Sequence, residues 1–399
     1  MSSAVIYLDN QATTPVDPRV VSVMQPYFAQ EYGNPHSLGH AYGWAAEGAV
    51  EQARKNVATL IGADAREIIF TSGATESCNL ALRGVLLAEE KKPGRAEEQT
   101  RRKKIVTTAI EHPCVLETCV DLAESGYEVA VIGVNSDGLV NMDEMRSAVD
   151  EQTLIVSVMA ANNEIGTIQP IAEIGDICRA EGAYLHTDAT QAVGKIAVDV
   201  RAWNVDLLSL SGHKMYGPKG VGALYVKWRS DMAIKPLVTG GGQERGLRSG
   251  TLPVPQIVGL GEACRIAERE MGKDAEAVRH LTSRLRETLL DSCPNAALYG
   301  HLEKRVPGNI SIGFPGFSGE EIVAAVSDHL AIATGSACSS VKVEPSHVLL
   351  ALGIGVEAAQ SVVRLSVGRF NTAGDVERAA DMLCRVVGEV KEKGVVGAG

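Results

Sequence analysis

Aromatic residues are scarce in this 399-residue chain, at 4%. Its core must therefore rest on Val, Ile, Leu and Ala, a composition suited to layers of helix and sheet. No run of about 18 uncharged apolar residues occurs, so no membrane-spanning helix is expected. A basic excess is also missing. The formal net charge is -11, which argues against a nonspecific nucleic-acid footprint and against binding to an anionic membrane surface. The eight cysteines include no Cys-x-x-Cys pair. Scattered over so long a chain they do not read as a disulfide framework, and a reducing compartment fits them better. The N-terminus has no basic stretch and meets Asp9 before any long apolar run. A signal peptide is not expected, and a cytoplasmic protein is. No internal repeat is evident. With 45% hydrophobic and 22% charged residues, composition also excludes disorder.

What is present is an alternation of short apolar runs with helical patterns. Ile68-Ile69-Phe70 precedes a helical run from Glu76, and Lys104 to Thr107 precedes His112 and a second helix. Leu154 to Val158 leads into Asn162-Asn163-Glu164-Ile165-Gly166 and a helix near Ile171 to Glu181. Ala183 to Leu185 and Val205 to Leu208 follow as further strands. This βαβ rhythm predicts an α/β fold with a mostly parallel sheet covered on both faces. Composition shifts near 239–256, where Gly240-Gly241-Gly242 and Pro253-Val254-Pro255 stand before a long amphipathic helix running towards residue 290. The expected division gives residues 15–255 to a large domain, and residues 1–14 with 256–399 to a smaller α+β domain. Glu89 to Lys104 is dense in both charge signs and reads as a solvated loop.

Two strand ends carry the most informative chemistry. Asp188 ends one apolar strand, and Ser211-Gly212-His213-Lys214 ends the next. Ligands of open α/β sheets sit in the crevice beyond the carboxyl ends of parallel strands. An acid able to hold a pyridinium nitrogen, beside a lysine able to form a Schiff base, is the pairing that pyridoxal phosphate needs. A lysine is by default a surface charge, and Asp188 alone could be a helix cap. The small residues around Lys214, and a second strand end facing it, favour the cofactor reading. Thr71-Ser72-Gly73-Ala74-Thr75-Glu76 joins a strand to a helix and offers free backbone N–H groups to a phosphate. Ser211 and His213 could add donors to it. Asn163 or Gln191 could reach the cofactor's phenolic oxygen, or serve only as turn and cap residues. His112, at another strand end before Pro113, could lie on the ring face and carry protons. Arg364 and Arg369 are both candidates for a carboxylate fork, and spacing does not choose between them. Cys338 is the one cysteine in a small, polar, Gly-containing loop, Thr334 to Ser340. Such a loop suits a nucleophilic thiol. Cys78, Cys119, Cys178, Cys264 and Cys384 fall in helical patterns and read as small core residues.

Together these motifs resemble the cysteine desulfurases of the iron–sulfur assembly type, in the class V aminotransferase group of fold type I pyridoxal-phosphate enzymes. The resemblance runs from Tyr7-Leu8-Asp9-Asn10-Gln11-Ala12-Thr13-Thr14 through Gly33-Asn34-Pro35-His36-Ser37 and Ala109-Ile110-Glu111-His112 to Arg364-Leu365-Ser366-Val367-Gly368-Arg369. It implies a large domain with a seven-stranded, mostly parallel sheet, and a small C-terminal domain carrying the cysteine loop. It implies Lys214 as the Schiff-base lysine, Asp188 on the pyridine nitrogen and His112 on the ring. Ala74, Thr75, Ser211 and His213 would surround the phosphate, with Asn163 and Gln191 beside the phenolic oxygen. Thr251 would reach the phosphate of a partner subunit, which implies a homodimer. Arg364, assisted by Asn34, would bind the substrate carboxylate, and Cys338 would carry the persulfide. The implied reaction turns L-cysteine into L-alanine and passes sulfur to an iron–sulfur scaffold or other acceptor protein. No metal is implied. Val341-Lys342-Val343 departs from the small polar residues usual in such a loop. A selenocysteine lyase, an aminotransferase and a non-catalytic scaffold for sulfur-transfer proteins are the rival readings.

Overall fold

The chain enters through a two-residue strand, β1 (Ile6–Tyr7), and two short helices, α1 (Pro18–Met24) and α2 (Pro26–Ala29). The structure is a computed structural model that describes residues 5–90, 102–229, 231–335 and 345–396. Helix α3 (Ala41–Ile61) then leads to the large sheet, whose strands are β2 (Ile68–Thr71), β3 (Lys104–Thr108), β4 (Glu128–Ile132), β5 (Thr153–Ser157), β6 (Tyr184–Asp188), β7 (Leu207–Ser211) and β8 (Gly222–Val226). Their order is β2-β8-β7-β6-β5-β3-β4. Strands β4, β3, β5, β6 and β7 run parallel, while β8 runs antiparallel to both β2 and β7. The expected α/β fold with a mostly parallel seven-stranded sheet is what forms. Each residue of β3, β5, β6 and β7 is buried, as a sheet covered on both faces requires.

Alternate residues of these strands feed opposite layers. Val106, Val156, Leu185 and Leu208 face α3, α7 (Ile171–Glu181) and the start of α8 (Val254–Ser292), whereas Ile105, Ile155 and Leu207 face α4 (Ala74–Glu90) and α5 (Pro113–Glu124). A short α6 (Met142–Ala148) covers the β4 edge. The smaller unit is a four-stranded antiparallel sheet in the order β12-β13-β10-β9, formed by β9 (Ala297–Leu298), β10 (Asn309–Gly313), β12 (Ala333–Thr334) and β13 (Val362–Ser366). Strand β1 pairs beside it with β11 (Leu330–Ala331). Helices α9 (Gly319–Val326) and α12 (Ala373–Val396) cover this sheet, and α10 (His347–Ala351) and α11 (Val356–Gln360) connect it.

The 39-residue α8 joins the units. Its Ile257, Leu260, Cys264 and Ala267 lie in the large core, and its Val278, Leu285 and Leu289 in the small one. A division after residue 255 thus falls at the start of a helix that both cores share. No helix among the described residues is long and apolar enough to cross a membrane.

Candidate active site

The carboxyl ends of β2, β3, β5, β6 and β7 open on one side of the sheet. The segments leaving them meet Gln11-Ala12 and Arg364 around a cavity of about 510 Å3. Ala74, Thr75, His112, Asn163, Asp188, Gln191, Ser211, His213, Lys214 and Arg364 all line it. Lys214 ends a single 3-10 turn, Gly212–Lys214, directly after β7. Its Nζ donates to the carbonyl oxygens of Gln11 and Ala12, each at 2.7 Å. Asp188, only 6% exposed, closes β6, and its Oδ1 accepts the backbone N–H of Thr190 at 2.9 Å.

At the β2 end, Gly73 precedes the first turn of α4. Strand β8 passes so close that a Cβ on Gly222 would stand 2.7 Å from the Gly73 Cα and 2.4 Å from the Leu210 carbonyl oxygen. Only glycine fits there. Ser72 N–H donates to Glu76 Oε2 at 2.7 Å, and Arg248 pairs with Glu76 Oε1 at 2.9 Å. Burial pushes the Glu76 carboxyl up, but the hydrogen bonds from Arg248 and Ser72 outweigh it and hold the group below its ordinary value. His213 Nδ1 meets Thr13 Oγ1 at 3.1 Å. Burial, then the charges of Lys214, Lys219 and Lys195, push its pKa down to about 4, so the imidazole is neutral at physiological pH.

His112 caps α5, with Nδ1 accepting the Cys114 N–H at 3.2 Å. Beneath it Glu111 is wholly buried. Its Oε1 accepts from Thr108 Oγ1 and Met159 N, and its Oε2 has no hydrogen-bond partner. Burial pushes that carboxyl up to about 8. Across the cavity Arg364 donates to the Asn163 carbonyl oxygen at 2.9 Å and pairs with Asp9 at 2.8 Å, while its Nε is unpartnered. Gln191 donates to the Gln11 carbonyl oxygen at 2.9 Å and accepts Lys195 Nζ at 2.6 Å. Burial and the nearby cations Lys214 and Arg364 push Lys195 down to about 7.

Residues 6–379 match the family described as aminotransferase class-V. The chain belongs to that family. Within it, the chain is 46% identical over 387 residues to the cysteine desulfurase IscS of Rickettsia africae, covering 97% of this chain and 92% of that one. A solved NifS-like protein superposes with a TM-score of 0.88 at 38% identity, over 96% of this chain and 99% of that one. The solved structure of SspA in complex with cysteine superposes with a TM-score of 0.79 at 36% identity, over 92% and 99% of the two chains.

Class V aminotransferases of this kind depend on pyridoxal phosphate, and the cavity suits it. A helix N-terminus flanked by Ser211 and His213 offers donors to a phosphate. The buried Asp188 carboxylate needs a cationic partner, which a protonated pyridine nitrogen would be. The hydroxyl of Thr190, on the cavity wall, is buried without a partner. Two expected residues stand apart in the single chain. Asn34 is exposed, with Oδ1 accepting the His36 N–H at 3.0 Å, and Thr251 is exposed as well; neither lines the cavity. Cys338 lies outside the described residues, and Thr334 and Gly335 of its loop line the cavity. The residue-by-residue reading missed the Gln11 and Ala12 carbonyls. Their signal was the polar run that follows Tyr7-Leu8. It also missed Lys195, which follows Gln191 by four residues.

Proposed function

We propose that this chain is a pyridoxal-phosphate-dependent cysteine desulfurase that moves the sulfur of L-cysteine onto Cys338, leaves L-alanine, and passes the sulfur to an acceptor for iron–sulfur cluster assembly and other sulfur transfer. The observation that carries this reading is the meeting of Lys214, Asp188 and Arg364 in one cavity, walled also by the first residues of the Cys338 loop. The relatives named cysteine desulfurase, and the cysteine in complex with the similar SspA, support the substrate.

When bound, pyridoxal phosphate supplies a sink for the electrons of the substrate Cα–H bond. Lys214 is the amine that would hold it covalently, and once displaced it would take and return the Cα proton. The carbonyls of Gln11 and Ala12 orient that amine between these tasks. Asp188 would keep the pyridine nitrogen protonated. The amides at the start of α4, with Ser211 and the neutral His213, would hold the phosphate. Asn163 and Gln191 would stand at the phenolic oxygen, and His112 would cover the ring and relay protons. Arg364, on the cavity wall, would take the substrate carboxylate with its guanidinium, with Asn34 assisting if the 33–37 loop closes. The Cys338 thiolate would bond to the substrate sulfur as the Cβ–S bond breaks, giving a persulfide on the enzyme.

A homodimer completes the proposal, with Thr251 reaching the partner's phosphate site. Thr251 is exposed, and Phe28, Tyr32, Leu38, Tyr42 and Trp44 are each more than half exposed along 28–44, an apolar display typical of an interface. The compartment proposed is the cytoplasm.

The deciding experiment is Cys338→Ser with L-cysteine. The variant should keep its cofactor and still change its visible spectrum on adding L-cysteine, yet form no persulfide and release almost no sulfide. Normal alanine production by this variant would replace the desulfurase reading with a lyase that needs no persulfide.

A further inference from the structure

Cys78 and Cys114 take no part in the chemistry above, although they sit beside it. Cys78 lies in the second turn of α4 with no exposed surface, and Cys114 lies in the first turn of α5, half-buried on the cavity wall. The helices bring both thiols to the end of β6. There the two Sγ atoms and a carboxylate oxygen of Asp188 all lie within 4.8 Å of one another. The sequence reading of Cys78 as a plain core residue accounts for its burial and not for this company.

We propose that, in the cofactor-free protein, Cys78, Cys114 and Asp188 bind one thiophilic divalent cation of the zinc class, and that this cation and pyridoxal phosphate exclude each other. Two thiolates and a carboxylate are a donor set that zinc accepts, with Zn–S near 2.3 Å. The edge of a tetrahedral shell of that size is about 3.8 Å, so small side-chain rotations close the triangle. The cavity that Cys114 and Asp188 line leaves room for water as a fourth ligand. Binding is not a redox step. Two thiols lose their protons to solvent, and the cation takes two sulfur lone pairs and one oxygen lone pair. Exclusion follows from Asp188, because the oxygen that ligates a dication is no longer available to a protonated pyridine nitrogen. The metal site stands on the geometry alone; only the exclusion rests on Asp188 serving the cofactor.

The test uses full-length Cys338→Ser protein, so that the loop thiol cannot contribute. Stripped of cofactor and titrated with Co2+, it should take up one equivalent and develop a near-ultraviolet thiolate-to-cobalt absorption that Zn2+ abolishes. Cys78→Ala and Cys114→Ala, added singly, should each weaken uptake by about a hundredfold or more, since even losing a partner of a ligand costs 10- to 100-fold. Protein reloaded with pyridoxal phosphate should show no thiolate band. Absence of the band in stripped protein, or its persistence in Cys114→Ala, would overturn the site. An equal band in the loaded protein would overturn the exclusion. If the protein never takes up pyridoxal phosphate, the desulfurase reading fails, while the cobalt titration of the stripped protein still decides the metal site.

Discussion

Lys214 is held ready by two backbone carbonyls, whereas Lys219, which also lines the cavity, stands five residues beyond it, past the Gly217-Pro218 turn. Lys195 is a further amine, and its Nζ donates to Gln191. Lys214→Ala should therefore lower turnover by about 10²–10⁴-fold, the range of lost proton-transfer catalysis. Mass spectrometry after borohydride reduction should find the cofactor on Lys214 in the parent and on no lysine in the variant. An adduct on Lys195 or Lys219 would undo the assignment. Glu111 makes a different prediction. Burial keeps its proton in the folded protein up to about pH 8, whereas an unfolded chain releases it near its ordinary value of 4.5. Between those values the native state binds more protons than the unfolded one, so this residue makes stability fall as pH rises, and the fall ends above about 8. Glu111→Gln should remove that contribution. Urea midpoints at pH 5 and pH 9 should drop more for the parent than for the variant, and equal drops would refute the assignment.

At the scale of elements, the close approach of β8 to the turn at Gly73 has a measurable cost when it is crowded. A methyl group at Gly222 meets backbone on two sides, which cannot move as a side chain would. Gly222→Ala should destabilise the protein by about 1–3 kcal/mol, the usual cost of overpacking, and should weaken cofactor retention because Gly73 must shift. Unchanged thermal stability together with unchanged retention would show that the contact is slack. The same strand illustrates what sequence conveys. β5, β6, β7 and α7 are legible because each strand holds or follows a short apolar run, Leu154 to Val156, Ala183 to Leu185 and Leu207 to Leu208, and the 3.6-residue period marks the helix. β8 opens with glycine and runs against its neighbours, and neither property is written in its hydrophobicity. β4 lies at the sheet edge with partly exposed residues, so its pattern is weak. The site was legible where residues end or directly follow strands, as Asp188 and Lys214 do. It was not legible where two helices fold a thiol against a thiol, or where the role belongs to a carbonyl, since every residue has one.

At the scale of the whole molecule, the exposed aromatic stretch along 28–44 and the outlying Thr251 predict a dimer. Sedimentation at micromolar concentration should give one species of twice the chain mass, and Thr251→Ala should lower cofactor affinity without dissociating it. A monomer with full activity would refute both. Joined by α8, the two cores should also unfold together. The first strand carries a further consequence. Ile6 and Tyr7 pair with Leu330 and Ala331, and the backbone near Asp9 bonds to Ser366. The carbonyls that hold Lys214 follow immediately after, at Gln11 and Ala12. Residues 6–9 thus find their place only when residues 330–366 have been made. During synthesis the strands of the large sheet can be complete while Lys214 still waits for the carbonyls of Gln11 and Ala12 to be docked beside it.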